Sequence, residues 1–502
     1  MKTERIKILI LSVLLSAGSY SVFSQTPVKS QEMSFDQALD ITRQKNHALK
    51  QMDFLKKEKT QQMKATRALY LPNIGISAQY IGMSEDLHLE LTPVKDAIVP
   101  LYSTLSNYGT FTIPNVPNDV ATQTIRNKLK TGLAGVEAGE WDKLIQKKQF
   151  GTIDASFNWP LYVGGKIRAA NNAAKIQTSE ASEIERQKLG EVYSELVERY
   201  FGLCLSIQAE KVREDVLNGM AKHLSDAEKM EIEGMIAHGD VLHVKVFHAQ
   251  AERELSKSRR QTEIINQSLL STLSTDEDTK IRPSSMLFYL DSLESIDFFK
   301  KSALQNSPLL KQVEAKKQLS IEGLKAEKAD YFPALAVIGM YDIANKDLSP
   351  YTPEWMVGVG LKWTLFDGMS RYRKVQAATM KTEQVKEYHA KATNDIETAV
   401  TKYYQELNMY REQLNQLETD QQFTEELLRI REKSFQQDMT NSTEVVDARL
   451  ALSKVLIEKL EAMYKYDVTL AKLLEYAGIP EQFQVYQNRL NVKTGIYKSE
   501  IK

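Results

Sequence analysis

Three carboxylates stand where charge could act on a passing solute. Asp240, Glu444 and Asp447 fall in the opening turns of two helical patterns, each preceded by a very long helical run and a short break. An acid there offsets the helix macrodipole and accepts from free amides, which contributes about 0.3 to 2 kcal/mol. That role needs no function, but it is compatible with carboxylates lining a narrow aqueous throat, where they favour cations.

Other chemistry fails on inspection. His238, His243 and His248 recur in steps that do not stack on one helical face, and no HExxH pattern is present, so no metal site is expected. Gly164-Gly165-Lys166 resembles the end of a phosphate loop, yet Pro160 occupies the earlier glycine position and Ile167 replaces the serine or threonine. Gly358-Val359-Gly360 opens a dinucleotide fingerprint that Trp363 terminates, and there is no GxSxG. Cys204, the single cysteine, permits neither an intramolecular disulfide nor a multi-cysteine metal site, and reads as an inert helix-face residue. No enzyme and no cofactor are expected.

The elements around these residues occur twice. Phe157 to Arg168 is an alternating strand reaching Trp159, then Leu161-Tyr162-Val163-Gly164-Gly165, then a long helix; Trp363-Thr364-Leu365-Phe366-Asp367-Gly368 repeats it, which reads as a duplicated unit. Period-two alternation marks four strands: Ile74 to Tyr80, Ile153 to Leu161, Leu335 to Tyr341, and Trp355 to Leu365. Each is about ten residues, the length of a tilted strand crossing a bilayer. Trp159, Tyr162, Tyr341, Trp355, Trp363 and Phe366 sit near strand ends, as an interfacial aromatic girdle would.

Helices fill most of the rest. Ser34 to Leu69 reads as one helix capped by Ser34 and ended at Pro72. After each glycine turn comes a helical run, 166–233 and 370–437, near 100 Å long at 1.5 Å per residue. Return helices follow at 240–272 and 443–476, and 298–329 is a further helix that continues the first return. Between strands one and two, 82–150 is an elaborated surface loop, proline- and aromatic-rich at first, then helical over 121–149 with breaks at Gly132, Gly135 and Gly139. The expected division is a leader at 1–24, a first repeat at 25–272 with its hairpin at 166–272, a linker at 273–297, a second repeat at 298–477 with its hairpin at 370–477, and a tail at 478–502 that is disordered after Asn488. Linker and tail together are expected to form an equatorial collar on the helical shaft.

The leader has basic Lys2, Arg5 and Lys7, an apolar run from Ile8 to Leu15 and small residues before Gln25, a secretory signal too short to span a membrane. The chain carries a formal charge of −1; removing Lys2, Glu4, Arg5 and Lys7 takes away +2 and leaves −3, which gives no sign of a nucleic-acid partner. Four strands cannot close a barrel, and an open sheet edge in lipid costs several kcal/mol per unpaired group. Subunits must therefore share a barrel whose strand number is a multiple of four; eight, twelve and sixteen all satisfy closure.

Over essentially the whole length after the leader, the chain resembles the TolC family of outer-membrane efflux proteins. The resemblance rests on the strand starts Leu71-Pro72 and Phe332-Pro333, on both glycine turns, and on two helical tips. One tip reads Gly234-Met235-Ile236-Ala237-His238-Gly239-Asp240-Val241; the other ends Glu444-Val445-Val446-Asp447-Ala448, where the family usually has Asp-Val-Leu-Asp-Ala. It implies a homotrimer in the outer membrane of a Gram-negative bacterium, with a twelve-strand β-barrel continued by a helical tunnel through the periplasm. The partners implied are outer-membrane lipid, a periplasmic adaptor and an inner-membrane pump, with this chain as the passive exit duct for efflux or type I secretion. Gly234, Met235, Ile236, Phe435, Asp438 and Thr440 would meet the adaptor, and Asp240, Glu444 and Asp447 would form carboxylate rings at a gate. Asp438 and Thr440 replace a family glycine and an arginine that in some members pairs with the aspartate matched by Asp240, so a gate latched by that ion pair does not carry over. A periplasmic coiled-coil adaptor or scaffold is the rival reading; the aromatic-ended strands argue against it.

Overall fold

The computed structural model describes residues 29–275, 279–437, 439–495 and 497. The leader at 1–24 and Asp438 lie outside them. The chain opens with β1 (Lys29–Met33), α1 (Phe35–Lys45), α2 (His47–Arg67) and β2 (Asn73–Gly82). An insertion follows, β3 (Leu87–Glu90), α3 (Thr92–Tyr108), α4 (Asn118–Ala138) and β4 (Asp142–Gln146), before β5 (Gln149–Val163). Next come α5 (Lys166–Ile232), α6 (His238–Leu273), β6 (Thr279–Pro283), β7 (Leu287–Leu290), α7 (Ile296–Asn306) and α8 (Pro308–Ala329). Then β8 (Ala334–Lys346), β9 (Trp355–Lys362), α9 (Ser370–Gln436), α10 (Ser442–Tyr476), α11 (Phe483–Gln487) and β10 (Val492–Gly495) complete it. α5 and α9 are each 67 residues long. Among the described residues no helix is long and apolar enough to cross a membrane.

The chain divides into two compact units. One comprises 57–179 and 314–387 and holds a four-stranded antiparallel sheet, ordered β2-β5-β8-β9. The expected strands are all present, though β9 ends at Lys362 and so stops short of Leu365. β2 and β9 are edges with one side unpaired. Two left-handed residues turn each strand into its helix: Gly164 and Gly165 at φ 65° and 91°, Gly368 and Met369 at 65° and 68°. At Gly164 a Cβ would lie 2.2 Å from the Ala329 carbonyl oxygen, so the close approach as well as φ requires glycine.

The insertion departs from the sequence expectation. Its proline-rich part is itself a helix, α3, with Pro93 in its first turn. α4 runs through Gly132 and Gly135, ends at Gly139, and gives way to a strand that pairs with β3. Tyr102 of α3 lies 3.4 Å from where a Cβ of Gly132 would stand, so packing against α3 takes up the space beside this glycine.

The other unit comprises 29–56, 180–313 and 388–497. Its core is an aromatic knot of Phe35, Tyr193, Tyr200, Phe201, Phe288 and Phe483, all essentially buried. β1 runs parallel to β6, and β10 pairs antiparallel with β7, so residues of the linker and the tail are tied into the unit by strands. The tail after Asn488 is therefore ordered over β10, because Leu290 to Leu287 offer it a ladder. Tyr200 donates to the Met33 carbonyl at 2.7 Å and accepts from the Ser285 amide, while the Cys204 thiol donates to the Ser285 carbonyl. Asp467 is fully buried and accepts from the Phe288 amide at 3.3 Å, and burial pushes its carboxyl well up from the usual range. Cys204 is buried and its thiol is pushed up in the same way, as an inert cysteine should be.

Two expected single helices are broken. α1 starts at the Ser34 cap, where Gln37 and Ser34 exchange side-chain-to-amide bonds, but stops at Asn46. Asn46 Oδ1 accepts from the Ala48 and Leu49 amides and so caps α2, while its Nδ2 donates to the Thr272 carbonyl. The span 298–329 breaks in the same manner at Ser307, with Pro308 opening α8.

Candidate functional site

The strand sheet presents an apolar face that stays exposed among the described residues. Ile76 is 74% exposed, Val359 67% and Leu361 66%, whereas a sheet folded for water would bury them. On β5 the opposite face is polar: Thr152 Oγ1 donates to Asp154 Oδ2 at 2.7 Å, and Asp154 stands across from Asp342. Asn345 donates to Asp342 in turn.

Aromatic residues mark both ends of this sheet. At the helix end Trp159 donates its indole N–H to the Tyr70 carbonyl at 2.9 Å, and Trp363 donates to the Tyr331 carbonyl at 3.1 Å. Tyr162 and Phe366 are exposed beside them. At the loop end Tyr341 pairs with Trp355, both exposed. Such residues have one apolar body and one polar handle, which suits a boundary between hydrocarbon and water.

The helical tips belong to the other unit. α5 ends through Gly234 at φ 75°, with the Met235 amide donating to the Met230 carbonyl at 2.8 Å. α6 then starts with Asp240 Oδ2 accepting from the Ala237 amide at 3.3 Å, so Asp240 is a half-buried cap. In the second tip Asn441 Oδ1 accepts from the Glu444 amide at 3.0 Å. Glu444 itself is paired with Arg431 at 2.5 Å, while Asp447 is exposed and has no ion-pair partner among the described residues. The capping role at this tip therefore falls to Asn441, and one of the three acids has its charge offset within the chain.

Met235 is exposed and Ile236 and Thr440 are half-buried, as tip residues can be. Phe435 is not available as a surface: it is 4% exposed and packs with Ala227, Val241, Val244 and Val445. Its ring meets the His223 imidazole edge-on at 4.6 Å. The resemblance implies an adaptor contact for Phe435, but its helical face turns it inward.

Two residues near the tips were missed by sequence reasoning. His223 is buried, its Nε2 lies 2.7 Å from the Ser442 hydroxyl, and burial lowers its pKa from the ordinary 6.5. Arg449 pairs with Glu432, and its guanidinium fills the space that a Cβ at Gly219 would need. Gly219 in the middle of a long helix was the available signal, since an interior helical glycine costs about 1 kcal/mol unless something needs the room. Around them runs a groove of about 830 Å³ lined by Lys222, His223, Glu425, Arg449 and Lys459.

Residues 300–479 match the family model described as outer membrane efflux protein. That stretch of the chain is similar to the family. Among its relatives are the cobalt-zinc-cadmium resistance protein CzcC of Cupriavidus metallidurans, 23% identical over 224 residues, and the protein CyaE of Bordetella pertussis, 23% identical over 264 residues. These matches cover 44% and 50% of this chain and 52% and 55% of the relatives, so the chain spans about half the length of each. Solved structures of the same fold include the outer membrane protein VceC of Vibrio cholerae, with a TM-score of 0.66 at 12% identity over 88% of this chain and 96% of that one. The MtrE outer membrane channel of Neisseria gonorrhoeae gives 0.66 at 12% over 89% of both chains, and the CmeC channel of Campylobacter jejuni 0.66 at 11% over 96% and 98%.

The chain thus has a mostly helical fold shared with solved outer-membrane channels along nearly its whole length. Of the candidate acids, Glu444 and Asp447 lie one turn apart on α10 and Asp240 on α6, each in the first two turns of its helix. Of the six aromatics expected as a girdle, Trp159, Tyr162, Tyr341 and Trp355 lie in the sheet and Trp363 and Phe366 follow β9.

Proposed function

We propose that three copies of this chain close one twelve-strand barrel in the outer membrane of a Gram-negative bacterium and continue it as a helical tunnel into the periplasm. The protein is the passive exit duct of an efflux or type I secretion system, receiving cargo from an inner-membrane pump through a periplasmic adaptor. The observation that carries this is the exposed apolar face of the β2-β5-β8-β9 sheet between two aromatic rims, together with its two unpaired edges. Lipid takes up the face, and the β9 edge of one copy pairs with the β2 edge of the next, since unpaired backbone groups are untenable in hydrocarbon. The duplicated repeat is supported by the matched turns at Gly164-Gly165 and Gly368-Met369 and by helices of equal length after them. Tip residues Gly234, Met235, Ile236 and Thr440 meet the adaptor, and Asp240, Glu444 and Asp447 surround the narrow end. The relative named for cobalt, zinc and cadmium resistance makes divalent metals one cargo class to try.

The test is purification from outer membranes followed by planar-bilayer recording. A detergent-requiring, heat-dissociable trimer that conducts ions supports the duct. A water-soluble protein without conductance would reject it in favour of the periplasmic scaffold.

A further inference from the structure

The insertion between β2 and β5 carries a second exposed apolar surface, and it lies on a helix. On α3, Val94, Ala97, Leu101, Leu105 and Tyr108 recur in the three-and-four spacing of a coiled-coil seam, and all five are exposed, Leu101 at 57% and Tyr108 at 79%. These are not the residues that hold α3 to α4. Tyr102 of α3 packs beside Gly132 of α4, and the two helices are locked by Lys95 Nζ donating to the Glu137 carbonyl and Arg126 Nε to the Gly109 carbonyl. α3 is therefore apolar on two faces, whereas α4 shows solvent the polar Asn127, Lys128 and Lys130.

The charge pattern argues against a lipid surface as what covers the stripe. A helix that lies on anionic headgroups flanks its apolar face with Lys and Arg. α3 has a single basic residue, Lys95, and its ammonium is already bonded to the Glu137 carbonyl.

Its place in the topology points to another copy. The β2–β5 ladder continues upward through the Met83 amide bonded to the Lys148 carbonyl and through β3 and β4, and α3 leaves from the β3 side. β3 continues β2, the edge strand at which the proposed trimer joins its next copy. Twelve strands about 4.8 Å apart, tilted by about 40°, close at a radius of about 12 Å, which sets equivalent strands of three copies about 20 Å apart. A two-helix hairpin is itself about 20 Å across. Three hairpins rising from that rim have no room to stand clear of one another, and a threefold axis brings identical stripes together.

We propose that the α3 stripe of each copy is covered by the α3 stripes of the other two, so that three hairpins form a cap that closes the barrel mouth to large solutes. This rests on the trimeric reading above. The test places Leu101→Cys, on the stripe, or Lys128→Cys, on the polar face of α4, in a Cys204→Ser background and oxidises intact outer membranes. The expected result is a disulfide-linked dimer as the main species for Leu101→Cys and monomer for Lys128→Cys. In parallel, Val94→Glu with Leu101→Glu should raise single-channel conductance severalfold by mutual repulsion at the stripe. Absence of the Leu101 cross-link, equal cross-linking at Lys128, or unchanged conductance in protein that remains a heat-dissociable trimer overturns the cap. A natural-sequence protein that is not a trimer overturns the oligomeric reading instead.

Discussion

The indole N–H of Trp159 donates to the main-chain carbonyl of Tyr70 at 2.9 Å, closing the corner where a helix hands over to a strand. The same corner is built a second time, by Trp363 and the Tyr331 carbonyl at 3.1 Å. Tyr70 precedes Leu71-Pro72 and Tyr331 precedes Phe332-Pro333, so each tryptophan holds the residue before a proline-marked strand start. Both indoles keep a polar partner while their rings stay exposed, which fits the edge of a bilayer.

Replacing Trp159 or Trp363 by phenylalanine removes the N–H and keeps most of the ring. Each change should cost about 1 kcal/mol, the net worth of one such hydrogen bond, and the two should add because they are made at separate corners. Thermal unfolding of the purified protein reads this out. A double variant as heat-resistant as the parent would show that the corners are held by something else.

Gly164 and Gly368 share φ 65° but not their surroundings. Gly368→Ala meets nothing within 4 Å and should cost only the left-handed backbone, about 1 kcal/mol. Gly164→Ala drives a methyl into the Ala329 carbonyl and should cost about 3 kcal/mol or more. Comparing the yield of folded protein in outer membranes tests the ranking, and equal yields would contradict it.

Charge at the tips divides into paired and unpaired acids. The variant Arg431→Ala with Glu444→Ala removes an ion pair and no net charge, so reversal potentials under a salt gradient should hardly move. Asp240→Ala with Asp447→Ala removes uncompensated carboxylates and should shift selectivity away from cations and weaken block by multivalent cations. If the second variant keeps the parent's selectivity, these two acids do not set it.

His223 makes the tip packing sensitive to acid. Burial beside Phe435 lowers its folded pKa below the ordinary 6.5; the Ser442 hydrogen bond opposes this, the Arg449 charge reinforces it, and the Asp226 charge opposes it least. Above pH 6.5 the imidazole is neutral in both folded and unfolded chains and the packing is at full strength. As pH falls through 6.5 the unfolded chain gains a proton that the folded one resists, so stability drains away until the lowered folded pKa is passed. Amide exchange in the last turns of α5 should accelerate between about pH 7 and pH 5, and His223→Gln should flatten that dependence. An unchanged pH profile in the variant would assign the effect to another group.

What one element's periodicity records was legible without coordinates. Period-two alternation registers a single buried or lipid-facing side, so Trp355, Val357, Val359 and Leu361 identified β9 on their own, and the glycine turns announced both long helices to within a residue of their ends. Contacts made across the fold left no such local trace. Asn46 ends α1 and caps α2 while bonded to Thr272, more than 200 residues away, and β10 is ordered only because β7 lies beside it. Phe435, His223 and Arg449 owe their roles to helices that meet only after folding, so Phe435 read as a surface residue and the other two went unnoticed. Period and turn chemistry are properties of neighbours along the chain, whereas burial, caps supplied from afar and paired charge are properties of neighbours in space; the first set determined strands, helices and rims, and the second decided which tip residues remain exposed and charged.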